Sequence, residues 1–168
     1  MSDYFRPKLQ SVTAVAPFRL RTTWSTGEVL EVDVEPVLRS APALAGLLDP
    51  VVFATARLSD WGHAVEWRDA ELGADNVYAW AQQQAGRVSH QMLDDWMRRN
   101  GLSLDTAAEA LGISRRSVGD YRTARRPIPR AIWLACVGWE ATRPAPTTLP
   151  RQLPAPKART HARAGRSV

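Results

Sequence analysis

The pattern of apolar and polar positions divides the chain into a mixed first unit and a helical second unit. Residues 12–25 form a run of β-branched and aromatic side chains that is typical of a strand. A turn with Gly27 and a second alternating run at residues 29–34 follow, which predicts a β-hairpin. After Pro36, apolar residues recur at helical spacings and predict one or two short helical turns.

The rest of the first unit continues this mixed pattern. Two short strands are predicted at residues 55–59 and 64–68, with a turn at residues 60–62 between them. A connecting helix is predicted at residues 75–84. These elements predict a small α+β domain at residues 10–80, in which a hairpin, a helix and further strands share one core.

The second unit, residues 86–142, is predicted to be wholly helical. Ser89, Ser103 and Ser114 each precede an amphipathic run, where a hydroxyl accepts a hydrogen bond from the unpaired amides of the first turn. Asn100-Gly101 is typical of a helix end. Prolines in a following loop precede a last apolar helix, predicted at residues 130–140. The predicted fold class is therefore α+β, with an all-α second domain.

Charge separates the chain in the same place. The net charge of +5 divides into −4 over residues 1–85 and +9 over residues 86–168. Residues 143–168 contain five Pro, five Arg, one Lys and no acidic residue, which predicts a disordered basic tail. The asymmetry indicates that only the second half meets a polyanion.

Residues 104–123 carry the most specific motif. Two steeply crossing helices need a small residue at their closest approach, which Ala108 supplies, and a turn residue that accepts positive φ, which Gly112 supplies. Apolar anchors for the inner faces are Ala107, Leu111, Ile113, Val118 and Tyr121. Over residues 89–140 the pattern resembles the helix-turn-helix of the Cro and phage-repressor (XRE-type) superfamily. An ordinary helical hairpin within a bundle is the alternative.

The resemblance assigns candidate DNA contacts. The family reads bases from positions that match Arg115, Arg116, Ser117, Gly119 and Asp120. Arg115 and Arg116 open a helix where the dipole disfavours cations, which indicates that they face an anion. Arginine also suits bidentate contact with guanine. The predicted base-reading set is Arg115, Arg116, Ser117 and Asp120.

Asp120 has two predicted roles, accepting a cytosine amino hydrogen or pairing with a neighbouring arginine. Leu104 stands where many members of the superfamily have a glutamine that contacts phosphate. A second set is predicted to bind phosphates, with a solvated helix face as the alternative for Arg122 and Arg130: Ser114, Arg122, Arg125, Arg126 and Arg130.

The first unit has a resemblance of its own, carried by scattered residues: Thr26-Gly27-Glu28, Asp33, Pro36, Leu48-Asp49-Pro50, Phe53, Glu66-Trp67, Leu72, Asp75 and Tyr78. It is similar to a small bacterial domain of unknown function that is sometimes fused to a Cro-type helix-turn-helix. Relatives are associated with toxin–antitoxin-like gene pairs, which implies a protein partner. Phe53, Trp61 and Trp67 are predicted to pack in the core, with a ligand pocket as the alternative.

Catalytic signatures are absent from the sequence. His63, His90 and His161 are isolated, and Cys136 on an apolar helix is predicted to be a buried small hydrophobe. A phosphate-binding loop, a dinucleotide fingerprint and a zinc-protease motif are all missing. We therefore expect no enzyme activity, no cofactor and no metal. With one cysteine, no signal-peptide pattern and no membrane-length apolar run, the expected location is the bacterial cytoplasm, nucleoid-associated when bound to DNA.

Together these features predict a transcriptional regulator that binds double-stranded DNA, as a homodimer if the resemblance holds. The alternative is an antitoxin-like protein whose first unit binds a partner while the helix-turn-helix gives autoregulation. An enzyme with an unrecognised site is a third reading. The predicted dimer surface is either the N-terminal sheet or the exposed part of the last helix, with Ile132, Trp133, Val137 and Trp139.

Overall fold

The computed structural model describes residues 5–143, which form a sheet-containing N-terminal unit followed by a helical unit. This is the α+β class that the sequence predicts. Residues 144–168 lie outside the described range, and with them nearly all of the predicted tail and His161. No helix within residues 5–143 is long and apolar enough to cross a membrane.

The first sheet contains three antiparallel strands in the order β1-β2-β3: β1 (Leu9–Val15), β2 (Arg19–Trp24) and β3 (Val29–Asp33). The single strand predicted across residues 12–25 is wrong, because the chain turns at residues 16–18. Pro17 has no amide hydrogen to give to a ladder, so a continuous strand ends there. The predicted hairpin between β2 and β3 is confirmed, with Gly27 at φ +85° in its turn.

A short helical stretch and a second sheet complete this unit. The helical stretch comprises α1 (Glu35–Ser40), a 3₁₀ helix (Pro42–Leu48) and α2 (Pro50–Phe53). The sheet is antiparallel, with β4 (Arg57–Leu58), β5 (Ala64–Glu66) and β6 (Glu71–Gly73), and α3 (Ala74–Gln84) follows it. The sequence does not predict β6, because three residues are too few to show an alternating pattern.

The N-terminal core is built on large rings. Trp24, Phe53 and Trp67 are buried, and the Trp67 indole N–H donates to the Phe53 carbonyl at 3.0 Å. The prediction that Trp61 packs in the core is wrong, since this side chain is 86% exposed. Gly62 lies so close to the Leu9 backbone that a Cβ there has no room, so the turn presents its glycine inward and Trp61 outward.

The helical unit contains α4 (His90–Arg99), α5 (Leu104–Leu111), α6 (Arg115–Arg122) and α7 (Arg130–Thr142). All three predicted N-caps are confirmed: the Ser89, Ser103 and Ser114 hydroxyls accept backbone N–H bonds at 3.2, 3.2 and 3.0 Å. The helical core gathers, among others, Leu93, Trp96, Ala107, Val118 and Cys136.

The two units are packed together. Ala124, just after α6, belongs to the N-terminal core, and the Arg6 N–H donates to the Thr123 carbonyl at 2.8 Å. The Gln83 side chain also donates to the Ser89 hydroxyl at 2.8 Å. The end of α6 is therefore held by the N-terminal unit as well as by its own helical neighbours.

Candidate nucleic-acid interface

Helices α5 and α6 form a compact pair joined by a tight turn. Gly112 has φ +66°, in the left-handed region that glycine tolerates best, and the Ile113 N–H donates to the Ala108 carbonyl at 3.0 Å. Ala107, Ala108, Val118 and Tyr121 are buried, while Leu111 and Ile113 are partly buried against the same core. The small residue, the turn glycine and the anchors thus lie where the sequence predicts them.

The first turn of α6 presents two arginines to solvent. Arg115 lies 3.6 Å from the Asp105 carboxylate, and both side chains are largely exposed, so this pair leaves the guanidinium accessible. Arg116 is exposed and has no ion pair within residues 5–143. Ser114 and Ser117 lie one turn apart with their hydroxyls 2.9 Å from each other. The capping residue Ser114 and the two arginines therefore lie at the same end of α6.

A groove of about 470 Å³ runs along the outer face of α6. Leu104, Gly119 and Thr123 line it together with one carboxylate, that of Asp120. Five arginines complete the lining: Arg6, Arg115, Arg116, Arg122 and Arg125. Arg6 comes from the segment before β1 and is absent from the sequence-based assignment. No local pattern marks it, because its proximity to α6 arises from packing between distant parts of the chain.

Asp120, unlike the exposed Arg115 and Arg116, is a predicted base-reading residue that is mostly covered. Its side chain is 15% exposed, and its carboxylate lies 4.0 Å from the Arg126 guanidinium. This geometry corresponds to the second predicted role, pairing with a neighbouring arginine. The cytosine contact stays a prediction.

Arg122, predicted to bind phosphate, connects two helices. Its Nε donates to the Asp94 carboxylate of α4 at 2.7 Å, and Arg98 donates to the other oxygen at 2.9 Å. Burial acts to raise the pKa of Asp94, but the hydrogen bonds from Arg98 and Arg122 outweigh it and lower that pKa. The structure thus gives Arg122 a packing role beside its predicted phosphate contact.

Three other predicted phosphate ligands line a larger cavity of about 960 Å³ between the two units. Arg125, Arg126 and Arg130 line it together with Arg87, and the Arg126 guanidinium lies 5.4 Å from the centre of the Tyr121 ring. Arg125 lines both this cavity and the groove along α6. Arg126 and Arg130 therefore lie apart from the groove that holds Arg115, Arg116 and Arg122, and Arg125 connects the two cavities.

Comparison with known proteins identifies relatives of both units. Residues 9–83 match the family described as Protein of unknown function (DUF2442). A protein of Nitrosomonas europaea ATCC 19718, named Putative DNA Binding Protein, has a sequence 66% identical to this chain. Its crystal structure superimposes on the present structure with a TM-score of 0.81. The match covers 92% of this chain and all of that one. The chain belongs to the same family as the Nitrosomonas protein. No curated protein matches the chain.

The resemblance of the first unit to a bacterial domain of unknown function is thereby confirmed.

Within the DUF2442 region, residues 9–83, Glu28 is the centre of a polar network. Its carboxylate accepts hydrogen bonds from Tyr78 at 2.7 Å, Thr26 at 2.9 Å, and Gln82 and Arg87 at 3.1 Å. Burial would raise the pKa of Glu28, but these donors lower it. The network ties the hairpin turn to α3 and to the segment that leads into α4.

Cys136 and His90 are both buried in the structure. No group of three or more His, Cys, Asp or Glu side chains within residues 5–143 is arranged to hold a metal ion. Cys136 is fully buried, as predicted, and burial raises the pKa of its thiol to about 11. His90 is also buried, its Nδ1 has no hydrogen-bond partner in the described range, and desolvation lowers its pKa to about 4. Neither group has the surroundings of a nucleophile or a general base.

Proposed function

We propose that this protein is a sequence-specific transcriptional regulator that reads the DNA major groove with α6. The observation that carries the proposal is the arginine-lined groove along that helix, in which the Asp120 carboxylate is turned toward Arg126. Surplus positive charge along one helix face is the electrostatic footprint of a nucleic-acid site. The name of the 66% identical Nitrosomonas protein supports the same function.

The proposed docking follows the Cro-type helix-turn-helix. Arg115 and Arg116 at the first turn of α6, with Ser117, contact base edges, because the N-terminal residues of a recognition helix enter the major groove. Phosphates are bound on the flanks by Ser114, Arg122, Arg125, Arg126 and Arg130. Arg122 takes part while it remains bonded to Asp94 through Nε.

A homodimer is part of the proposal, because proteins with this motif usually bind palindromes with half-sites about 34–36 Å apart. Of the α7 residues predicted for the dimer surface, only Val137 is strongly exposed, at 47%. Ile132, Trp133 and Trp139 are partly buried against the helical core, because α7 must cover α4 and α5. Leu134, at 57% exposure, joins Val137 as an apolar surface of α7. Mass measurement of the free protein and of its DNA complex tests this assignment.

The decisive experiment selects bound duplexes from a random pool with the full chain and then compares variants on a selected and a random duplex. Arg116→Ala is expected to weaken binding to the selected duplex by about 1–3 kcal/mol and to relax base choice at one position. Arg68→Ala serves as control, since Arg68 is exposed in the turn after β5 and lines neither arginine-rich cavity. Equal losses on both duplexes would contradict base reading, and a wild-type protein without salt-dependent DNA binding would contradict the whole proposal.

A second candidate function is partner binding by the DUF2442 region, as in an antitoxin-like protein. Its supporting observation is the outward position of Trp61, 86% exposed, and Val51, 77% exposed. Co-expression with the product of the neighbouring reading frame tests it by the mass of the purified complex. Trp61→Ala is expected to abolish that complex and Val137→Ala to leave it intact. A complex that survives Trp61→Ala would count against this surface.

A further inference from the structure

The segment of residues 5–8, which leads into β1, passes directly beside the end of α6. The Arg6 N–H donates to the carbonyl of Thr123, the residue that caps α6, at 2.8 Å. This bond uses the backbone of Arg6 and leaves its side chain free to point elsewhere. The segment is thus docked on α6 through an atom that any non-proline residue would provide.

Both flanks of Arg6 are fixed to the N-terminal unit. The Phe5 ring packs edge-on against Trp24 and Tyr78, with ring centres 6.0 and 5.5 Å apart, and Pro7 is buried. Lys8 exchanges two hydrogen bonds with Ser25: its N–H donates to the serine hydroxyl and its carbonyl accepts from the serine N–H, each at 2.8 Å. The backbone at Arg6 is therefore already ordered before any ligand arrives, which lowers the entropic cost of binding.

The side chain of Arg6 extends the positive face of α6. Arg6 is exposed, lines the same groove as Arg115, Arg116 and Arg125, and has no ion pair within residues 5–143. It lies beside Thr123 at the C-terminal end of the helix, whereas the proposed base contacts occupy the first turn. A guanidinium placed to one side of the reading residues is suited to the phosphate backbone rather than to base edges.

We infer that Arg6 binds a DNA phosphate beside the bases read by α6, so that the segment of residues 5–8 and the helical unit form one continuous DNA-binding surface. The inference rests on the proposed function. It assigns to the N-terminal unit a direct contact with DNA in addition to its support of α6.

The test uses full-length Arg6→Ala, Arg6→Lys and Arg116→Ala proteins on a selected duplex and on a random one, over a series of salt concentrations. Arg6→Ala is expected to weaken binding to both duplexes equally, about three- to tenfold at low salt, and to reduce the slope of log affinity against log salt by about one. Arg6→Lys is expected to restore most of that slope, since a lysine retains the point charge.

Two controls separate a phosphate contact from a structural effect. The unfolding midpoint of Arg6→Ala is expected to equal that of the wild type, because the bond to Thr123 comes from the backbone. Arg68→Ala is expected to leave the salt slope unchanged. An Arg6→Ala protein with wild-type affinity and slope, alongside a weakened Arg116→Ala protein, would overturn the inference and leave the proposed function standing. A loss confined to the selected duplex would overturn the phosphate assignment, and failure of the wild type to bind DNA would instead remove the proposed function itself.

Discussion

Most arginine side chains of the N-terminal unit lie against carboxylates, whereas several of those along α6 face solvent. Arg21 donates to Glu31 at 2.7 Å across the first sheet, and Arg39 to Glu35 within α1 at 2.7 Å. Arg116 and Arg125, in contrast, are exposed and have no ion pair within residues 5–143. Paired charges cancel each other's field, so the difference concentrates positive potential on one face of the helical unit. Arg6 belongs in sequence to the acidic half but in space to that positive face.

The cores of the two units differ as well. Both contain large rings, such as Trp24 in the N-terminal core and Trp96 in the helical one, but in the helical core Ala107 and Ala108 also allow α5 and α6 to approach closely. The two cores meet where Ala124 enters the N-terminal one. Because the two cores are in contact at this junction, a cavity made in the N-terminal core is expected to destabilise the helical unit as well.

Trp24→Ala is expected to destabilise the protein by about 3–5 kcal/mol, because it leaves a cavity at a fully buried site. Since Trp24 contacts Phe5 and Tyr78 next to the junction, amide exchange should accelerate in α4 and α6 as well as in the first sheet. Hydrogen exchange resolved by peptide, together with urea unfolding, measures both effects.

Trp61→Ala is the matched control for this experiment. Trp61 is 86% exposed, so its removal should change the free energy of unfolding by less than about 0.5 kcal/mol. If amide exchange in α4 and α6 stayed at the wild-type rate in Trp24→Ala, the two units would unfold independently of each other, as separate domains do.

His90, at the boundary between the units, makes stability depend on pH. Burial lowers its pKa from 6.5 to about 4, although the charges of Asp75 and Asp94 act in the opposite direction. As the pH falls below about 6.5 the unfolded chain binds a proton that the folded one does not. The neutral imidazole's contribution, on the order of 3 kcal/mol, is therefore present above pH 6.5 and is lost progressively toward pH 4.

Urea unfolding of the wild type and of His90→Gln between pH 7.5 and 4.5 measures the contribution of His90 to the pH dependence of the free energy of unfolding. The wild type should lose more stability over that range than the variant, since glutamine does not titrate. Parallel pH profiles for the two proteins would show that His90 takes up its proton as readily in the folded state as in the unfolded one.

The smallest expected effect compares the two ends of α6. Arg122→Ala should lower stability by about 1 kcal/mol, because it deprives the half-buried Asp94 of one of its two arginine partners. Arg116→Ala should change it by less than about 0.5 kcal/mol, since Arg116 is exposed and unpaired within residues 5–143. Thermal or urea unfolding at pH 7 distinguishes them. Equal stabilities would mean that the contact between Arg122 and Asp94 contributes nothing to the fold.

The sequence by itself determined the local features of the helical unit. Ser89, Ser103 and Ser114 cap helices, and Gly112 makes the turn between α5 and α6, as predicted. Each of these signals depends on groups within about four positions of one another, so the identities of neighbouring residues suffice. The α+β class followed from the same kind of pattern, repeated along the chain.

Only the tertiary structure decided which distant residues meet. It placed Arg6 beside Thr123, turned Asp120 toward Arg126 and bonded Arg122 to Asp94. It also turned Trp61 outward, because Gly62 packs against Leu9. Such contacts depend on how two units with separate cores fit together, and no period or spacing within either unit encodes that fit. The sequence thus supplied the capped helix α6 with Arg115 and Arg116 in its first turn, and packing supplied Arg6 beside its other end.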